Sequence, residues 1–218
     1  MTDTSRAPAA VKMAIRTAVI LFIFVISFTA LLSGAFIWTK PALEASAAEE
    51  KMKLISEVLP RSAYDNDLLK DTLEIQPSAA LGLDEKSTVY RARKAGQASA
   101  VVLEAVAPDG YSGKIRLLIA INLDGTLAGV RVTQHKETPG LGDYIEPKKD
   151  KNKTRPWITQ FNGLSLDSVS DREWKVKKDG GRFDSVVGAT VTPRAVIKAV
   201  RKAARYVAEN HEQLYASK

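Results

Sequence analysis

From Thr17 to Thr39 no charged residue interrupts 23 successive positions, and Val19 to Ile26 is almost wholly apolar. At about 1.5 Å per residue a helix of that length reaches roughly 35 Å, enough to cross a hydrocarbon core of about 30 Å. Trp38, at the far end, suits the interfacial belt. Arg6, Lys12 and Arg16 precede the run, whereas Glu44, Glu49 and Glu50 accompany the lysines after it. That lysine and arginine bias predicts a cytoplasmic N-terminus, residues 1–16, a span over 17–39, and everything after Lys40 outside. The other reading is a cleaved signal peptide, because Ala45-Ser46-Ala47 has a small-x-small outline. The apolar run is about twice the length of a signal h-region, which favours an uncleaved anchor. In a bacterial cell the folded part then lies in the periplasm, on the inner membrane.

The 218 residues suffice for one sizeable domain beside that anchor. The chain has no cysteine. Disulfides, thiolate metal sites, iron–sulfur ligation and a cysteine nucleophile are thereby excluded. The two histidines, His135 and His211, lack the spacing of a zinc helix, so any redox cofactor must be organic. The net charge of +7 gathers in Lys148, Lys149, Lys151, Lys153 and Arg155 and in the last helix. No helix-turn-helix, RNP or finger pattern accompanies it, so nucleic acid is not an expected partner. A solvated or lipid-facing basic surface is.

Pro41 marks the end of the span, and Leu43 to Leu59 reads as a helix stopped by Pro60. Polar, turn-rich sequence follows through Asp84, so residues 40–85 form a helical and turn connection packed on the domain at 86–218. Ser87 to Ala92, Ala98 to Ala107 and Lys114 to Asn122 read as strands, with Pro108 to Gly113 joining the last two. Asp124-Gly125 is a tight-turn pair, and Leu127 to Val132 completes a hairpin. The loop from Gln134 to Arg155 is long for a compact domain, which points to function. Trp157 to Phe161 predicts a short helix and Glu173 to Lys177 a strand. The class is α+β, an antiparallel sheet with flanking helices.

The clearest helix begins after Asp184 to Thr190. Thr192 is the expected N-cap and Pro193 the first helical residue. Val196, Ala199, Val200, Ala203 and Val207 make the apolar face; Arg194, Lys198, Arg201, Lys202 and Arg205 the polar one. Thr190 stands just before that start, behind Gly188 and Ala189. A hydroxyl there lies beside free backbone N–H groups and the positive end of the helix dipole, a position suited to phosphate. By itself, Gly-Ala-Thr is equally a plain turn before a capped helix.

Gly188-Ala189-Thr190-Val191-Thr192 resembles the flavinylation motif of the FMN-binding domain family, Ser-Gly-Ala-Thr-x-Ser/Thr. In that family a dedicated transferase joins the FMN phosphate to the motif threonine. Val187 stands where the motif most often has serine. With the single N-terminal span, Glu137 to Gly142, Trp157 to Gly163 and Thr192 to Val196, nearly the whole chain is similar to the G subunits of the Rnf (Rsx) ion-translocating electron transport complexes.

The resemblance implies an electron-carrying flavoprotein subunit without stand-alone catalysis, in a membrane complex that moves electrons between ferredoxin and NAD and translocates a cation. It implies FMN held by a phosphoester to Thr190, with Gly188, Ala189 and Thr192 around the attachment. From the loop Glu137 to Gly142, the residues Glu137, Thr138, Gly140 and Leu141 are the candidate wall for the isoalloxazine ring, Gly140 and Gly142 by close backbone approach and Leu141 by apolar contact. No catalytic residue and no metal ligand is assigned. Implied partners are the other subunits, among them a second membrane flavin subunit (D) and the Fe–S subunits, the flavin transferase, and lipid. Two alternatives stay open: the C subunit of the sodium-translocating NADH:quinone reductase, and a non-redox membrane-tethered binding module.

Overall fold

The computed structural model describes residues 7–216, so Arg6 and the rest of the first six residues of the expected cytoplasmic stretch lie outside the described residues. The chain divides between Glu50 and Lys51 into two units.

The first unit is helical. A single α-helix, α1, runs Ala7–Val58, and its most apolar window has a mean hydropathy of 2.5 with none of it buried. Its aromatic residues are exposed, Trp38 at 84%. By length and composition it is able to cross a membrane. The expected break at Pro41 is absent, because the proline sits inside α1. A proline removes one backbone bond, whereas ending one helix and starting another would leave about four unsatisfied groups at each new terminus.

The second unit, from Lys51, is built on a five-stranded antiparallel meander in the order β1-β2-β3-β4-β5. The strands are β1 (Thr72–Ile75), β2 (Ser87–Lys94), β3 (Gln97–Gly110), β4 (Gly113–Asn122) and β5 (Leu127–Gln134). Strand alternation separates two cores. Val101, Leu103, Ala105, Leu117, Ile119 and Ile121 face one side, and Ala100, Val102, Leu118 and Ala120 the other. With both faces covered, Ile115 to Ile121 reads as nearly continuous apolar sequence.

Helix α2 (Val191–Glu209) covers the first face with Val196, Ala199, Val200, Ala203 and Val207, the predicted stripe. The short α3 (His211–Tyr215) follows, pinned where the Tyr215 hydroxyl donates to the carbonyls of Ile121 and Asn122 at 3.0 and 2.9 Å. The second face is covered by Ile55 and Val58 at the end of α1, then by Leu59, Tyr64 and Leu68.

Three expectations need correction. Residues 61–84 are not wholly irregular, since β1 pairs there with β2, Thr72 against Tyr90 through Ile75 against Ser87. The Pro108 to Gly113 connection is largely strand, because β3 and β4 run on until Gly110 pairs with Gly113. Glu173 to Lys177 is not a strand and makes one isolated bridge, Val176 to Phe183. Its alternation arises because Trp174 and Val176 reach from a loop into the core beside Phe161 and Phe183.

Strand β5 meets the end of α1 at Gly129. A Cβ there would lie 2.4 Å from the Val58 carbonyl oxygen and 2.9 Å from its Cα. Backbone cannot swing aside as a side chain does, so the strand and helix would have to separate. Gly129→Val is expected to destabilise the sheet unit by about 1–3 kcal/mol. Urea unfolding of the purified chain, followed by tryptophan fluorescence, checks this; an unchanged midpoint would contradict the close approach.

Candidate functional site

A cleft of about 270 Å³ lies between the β3–β4 hairpin tip, the loop after β5 and the start of α2, lined by Tyr111, Glu137, Thr138, Leu141, Gly142 and residues 188–192. It therefore brings together seven of the eight residues singled out from the sequence. Gly140 lies outside the lining. Its glycine is required by a left-handed backbone, φ +77, and a Cβ there would meet nothing within 4 Å. Gly142, the other glycine expected to allow close backbone approach, is enclosed: a Cβ there would stand 2.9 Å from both Glu137 Oε2 and Thr192 Oγ1.

Those two atoms define the floor of the cleft. Glu137 is 4% exposed and Thr192 1%. The Thr192 hydroxyl donates to Glu137 Oε2 in a very short hydrogen bond, and the Ser112 N–H donates to Oε1 at 3.0 Å. Gly110, like Gly142, leaves room for this carboxylate, since a Cβ on it would lie 2.9 Å from Oε1. Behind it, the Glu137 N–H donates to His135 Nδ1 at 3.0 Å, and His135 Nε2 meets Glu146 Oε1 at 2.9 Å. Both ring nitrogens are thus engaged within the loop, and His135 is a structural residue there.

This pairing corrects the predicted helix start. Helix α2 begins at Val191, so Thr190 occupies the N-cap position and Pro193 lies in the first turn, where its missing N–H is still not needed. Neither threonine caps through its side chain. Thr192, assigned as the cap on the sequence, is instead drawn inward by Glu137, whose buried oxygens need donors. The half-buried Thr190 keeps its hydroxyl nearly unspent: among the described residues its one side-chain hydrogen bond is from Arg194 Nη1 at 3.5 Å, the limit of such a bond.

The turn that presents Thr190 is held from both sides. Val186 and Ala189 form an isolated bridge, and Gly188 takes φ +86, a conformation natural only to glycine. The Ala189 carbonyl accepts from the Tyr144 hydroxyl at 3.2 Å. Burial pushes that phenol up to about 12, so it stays a donor at ordinary pH. Trp157 packs edge-on against Tyr144, and its indole N–H reaches the Asp184 carbonyl at 2.6 Å.

A sequence profile of the FMN-binding domain family matches residues 110–205. A Pseudomonas aeruginosa protein, named as the G subunit of an ion-translocating oxidoreductase complex, is 46% identical over 93% of this chain and 92% of its own length. The proteins of that name from Vibrio vulnificus and Shewanella oneidensis are 41% and 37% identical, covering 89% and 93% of both partners. The chain belongs to this G-subunit family. Among solved structures, that of Shewanella oneidensis NqrC is similar with a TM-score of 0.46 and 26% identity, over 72% of this chain and 74% of that one.

The cleft suits the two halves of FMN. Three of its lining side chains, Tyr111, Leu141 and Val191, are exposed and apolar or aromatic, and the exposed Val186 and Val187 directly precede the lining residue Gly188 in the chain. Clustered exposed apolar residues mark a surface meant to be covered, and a flat ring would cover them. The Thr190 hydroxyl, the α2 N-terminus and the Arg194 guanidinium would hold the phosphate. Tyr111 escaped the sequence reading, although an exposed aromatic at a hairpin tip is a usable signal. Arg194 was read only as part of the polar helix face.

Thr192→Val removes one donor from the buried Glu137 carboxylate and is expected to cost about 1–3 kcal/mol. Thr192→Ser restores the hydroxyl and should recover most of that. Thermal unfolding of both variants is the check. Equal stability of Thr192→Val and the unaltered chain would mean that this pairing contributes nothing.

Proposed function

We propose that this chain is an electron-carrying flavoprotein subunit whose FMN is joined by a phosphoester to Thr190 Oγ. The observation that carries the reading is the division between the two motif hydroxyls. Thr192 is consumed by Glu137, while Thr190 stands in the cleft with its hydroxyl uncommitted, in a chain that matches the FMN-binding domain family.

When bound, FMN supplies reversible uptake and release of electrons. The protein's part is to place it. Gly188 turns the chain so that Thr190 meets the α2 N-terminus, and Tyr144 steadies the turn. Tyr111, Leu141 and Val191 offer the ring apolar contact. Glu137 and Gly142 close the floor, and Thr138 stands at the loop edge.

The finer assignment follows from the family. The curated relatives' name places them in an ion-translocating oxidoreductase complex. We assign this chain the same place: transfer between ferredoxin and NAD coupled to cation movement, beside a second membrane flavin subunit (D) and Fe–S subunits, after loading by a flavin transferase. α1 is the single inner-membrane anchor, with the N-terminus cytoplasmic and the sheet unit periplasmic. The covalent link suits that compartment. A micromolar complex is worth only about 8 kcal/mol and would shed its ligand into a nearly flavin-free medium.

Thr190→Ala should abolish covalent flavin while the fold persists, because the Thr190 side chain makes no capping bond. The measurement is fluorescence of the denatured band and peptide mass after co-production with the transferase. Covalent flavin retained by Thr190→Ala would reassign the site, and none on the unaltered chain would remove the flavoprotein reading.

For the orientation, a reporter fused after the last residue should be active only outside the cytoplasm. Cytoplasmic activity would reverse the topology and remove the dilution argument.

A further inference from the structure

Arg194 is held in a fork. Its Nε and Nη2 donate to Asp179 Oδ2 and Oδ1, each at 2.7 Å, which leaves Nη1 directed at Thr190 Oγ1, 3.5 Å away. The pair holds the Asp179 carboxyl below its usual range through the hydrogen bonds from Arg194. A structural role explains little of this arrangement. Both side chains are substantially exposed, 44% and 32%, and exposed ion pairs contribute little to stability. Arg194 also sits in the first turn of α2, where the helix dipole disfavours a cation. A guanidinium fixed beside an uncommitted hydroxyl, at a helix N-terminus, has one evident chemical use: it meets negative charge that develops on, or is bonded to, that oxygen.

We propose that Arg194 is the residue of this chain that assists flavin attachment at Thr190, neutralising the phosphate in the transfer and holding the finished phosphodiester afterwards, with Asp179 as its positioning residue. The proposal rests on attachment at Thr190.

A phosphate monoester does not condense with an alcohol unaided in water, so the donor must carry FMN on a phosphoanhydride, as a flavin dinucleotide does. Thr190 Oγ attacks the flavin-side phosphorus. The Oγ–P bond forms, the anhydride P–O bond breaks, the hydroxyl proton passes to solvent or to a base of the transferase, and a nucleoside monophosphate leaves. No electron changes hands. The α2 N-terminus contributes N–H groups on one side of the phosphate and Arg194 Nη1 a charged donor on the other. Asp179 occupies the Nε–Nη2 edge of the guanidinium, so its direction is set before the donor arrives. Lysine would bring the charge without that fork.

The test is the initial rate of covalent loading of the full-length chain in detergent, with purified flavin transferase and flavin adenine dinucleotide, read as fluorescence of the denatured band. Arg194→Gln should slow loading by about tenfold or more, as loss of a charge-stabilising donor at a reacting oxygen does. Arg194→Lys should recover part of the rate. Asp179→Asn keeps the guanidinium and should slow loading by no more than about threefold. A merely structural tie between the two residues gives Arg194→Gln and Asp179→Asn the same loss, and that result overturns the proposal. So does loading of Arg194→Gln at the unaltered rate. Melting temperatures of all variants separate lost loading from lost fold, and a folded Arg194→Lys faster than Arg194→Gln keeps the proposal standing. If the unaltered chain never loads, or Thr190→Ala does, the Thr190 reading itself falls and takes this inference with it.

Discussion

The Glu137 carboxylate joins three segments that are far apart in sequence. It takes the Ser112 N–H from the hairpin tip and the Thr192 hydroxyl from α2, and it belongs to the loop after β5. A carboxylate this deeply buried is tolerable only with donors in place. That requirement fixes how closely the three segments approach, and the glycines at 110 and 142 are what such closeness demands. The cleft is the space left above this junction. Had Thr192 capped the helix as its neighbourhood suggests, Glu137 Oε2 would lose the Thr192 donor and α2 would be free to start elsewhere.

The sheet makes that junction reachable. Because β3 and β4 remain paired to Gly110 and Gly113, their tip projects beyond the strand ends toward the start of α2. Opposite it, α2 lies on β3 and β4 through small residues, Ala199 and Ala203 among them, which permit close packing. Beneath the Gly188–Thr190 turn, Tyr144, Trp157, Phe161, Trp174 and Phe183 form a linked aromatic cluster. Rings of that size give a loop-rich region the buried area it otherwise lacks. The turn carrying Thr190 therefore rests on a rigid support although it is itself irregular.

Much of this was legible where the signal is local. The strands from Ser87 onward, the Asp124-Gly125 hairpin and the apolar stripe of α2 follow from periodicity and turn chemistry, and Gly188-Ala189-Thr190 from its motif. What escaped depends on partners distant in the chain. Strand β1 is short and only partly buried, so it shows no alternation until β2 lies beside it. Trp174 and Val176 alternate like a strand while serving a loop. Thr192 has the local signature of a cap, but a glutamate 55 positions away takes its hydroxyl. The fork on Arg194 is likewise formed by a residue from another loop, and nothing near either position marks the other.

Cleft size bears on why the cofactor would be attached at all. Pockets that retain a free ligand of this kind are commonly about 300–1,000 Å³ and bury most of its surface. The cleft here is about 270 Å³ and rimmed by exposed side chains. A cleft of this size would seat a flavin against one surface and leave its other side open. Deepening it would raise affinity but close off that side. The proposed bond through Thr190 would separate the two demands: retention would reside in the phosphoester, and the surrounding residues would need only to orient the ring. Under that proposal the exposed apolar rim would leave the ring an accessible face for electron exchange.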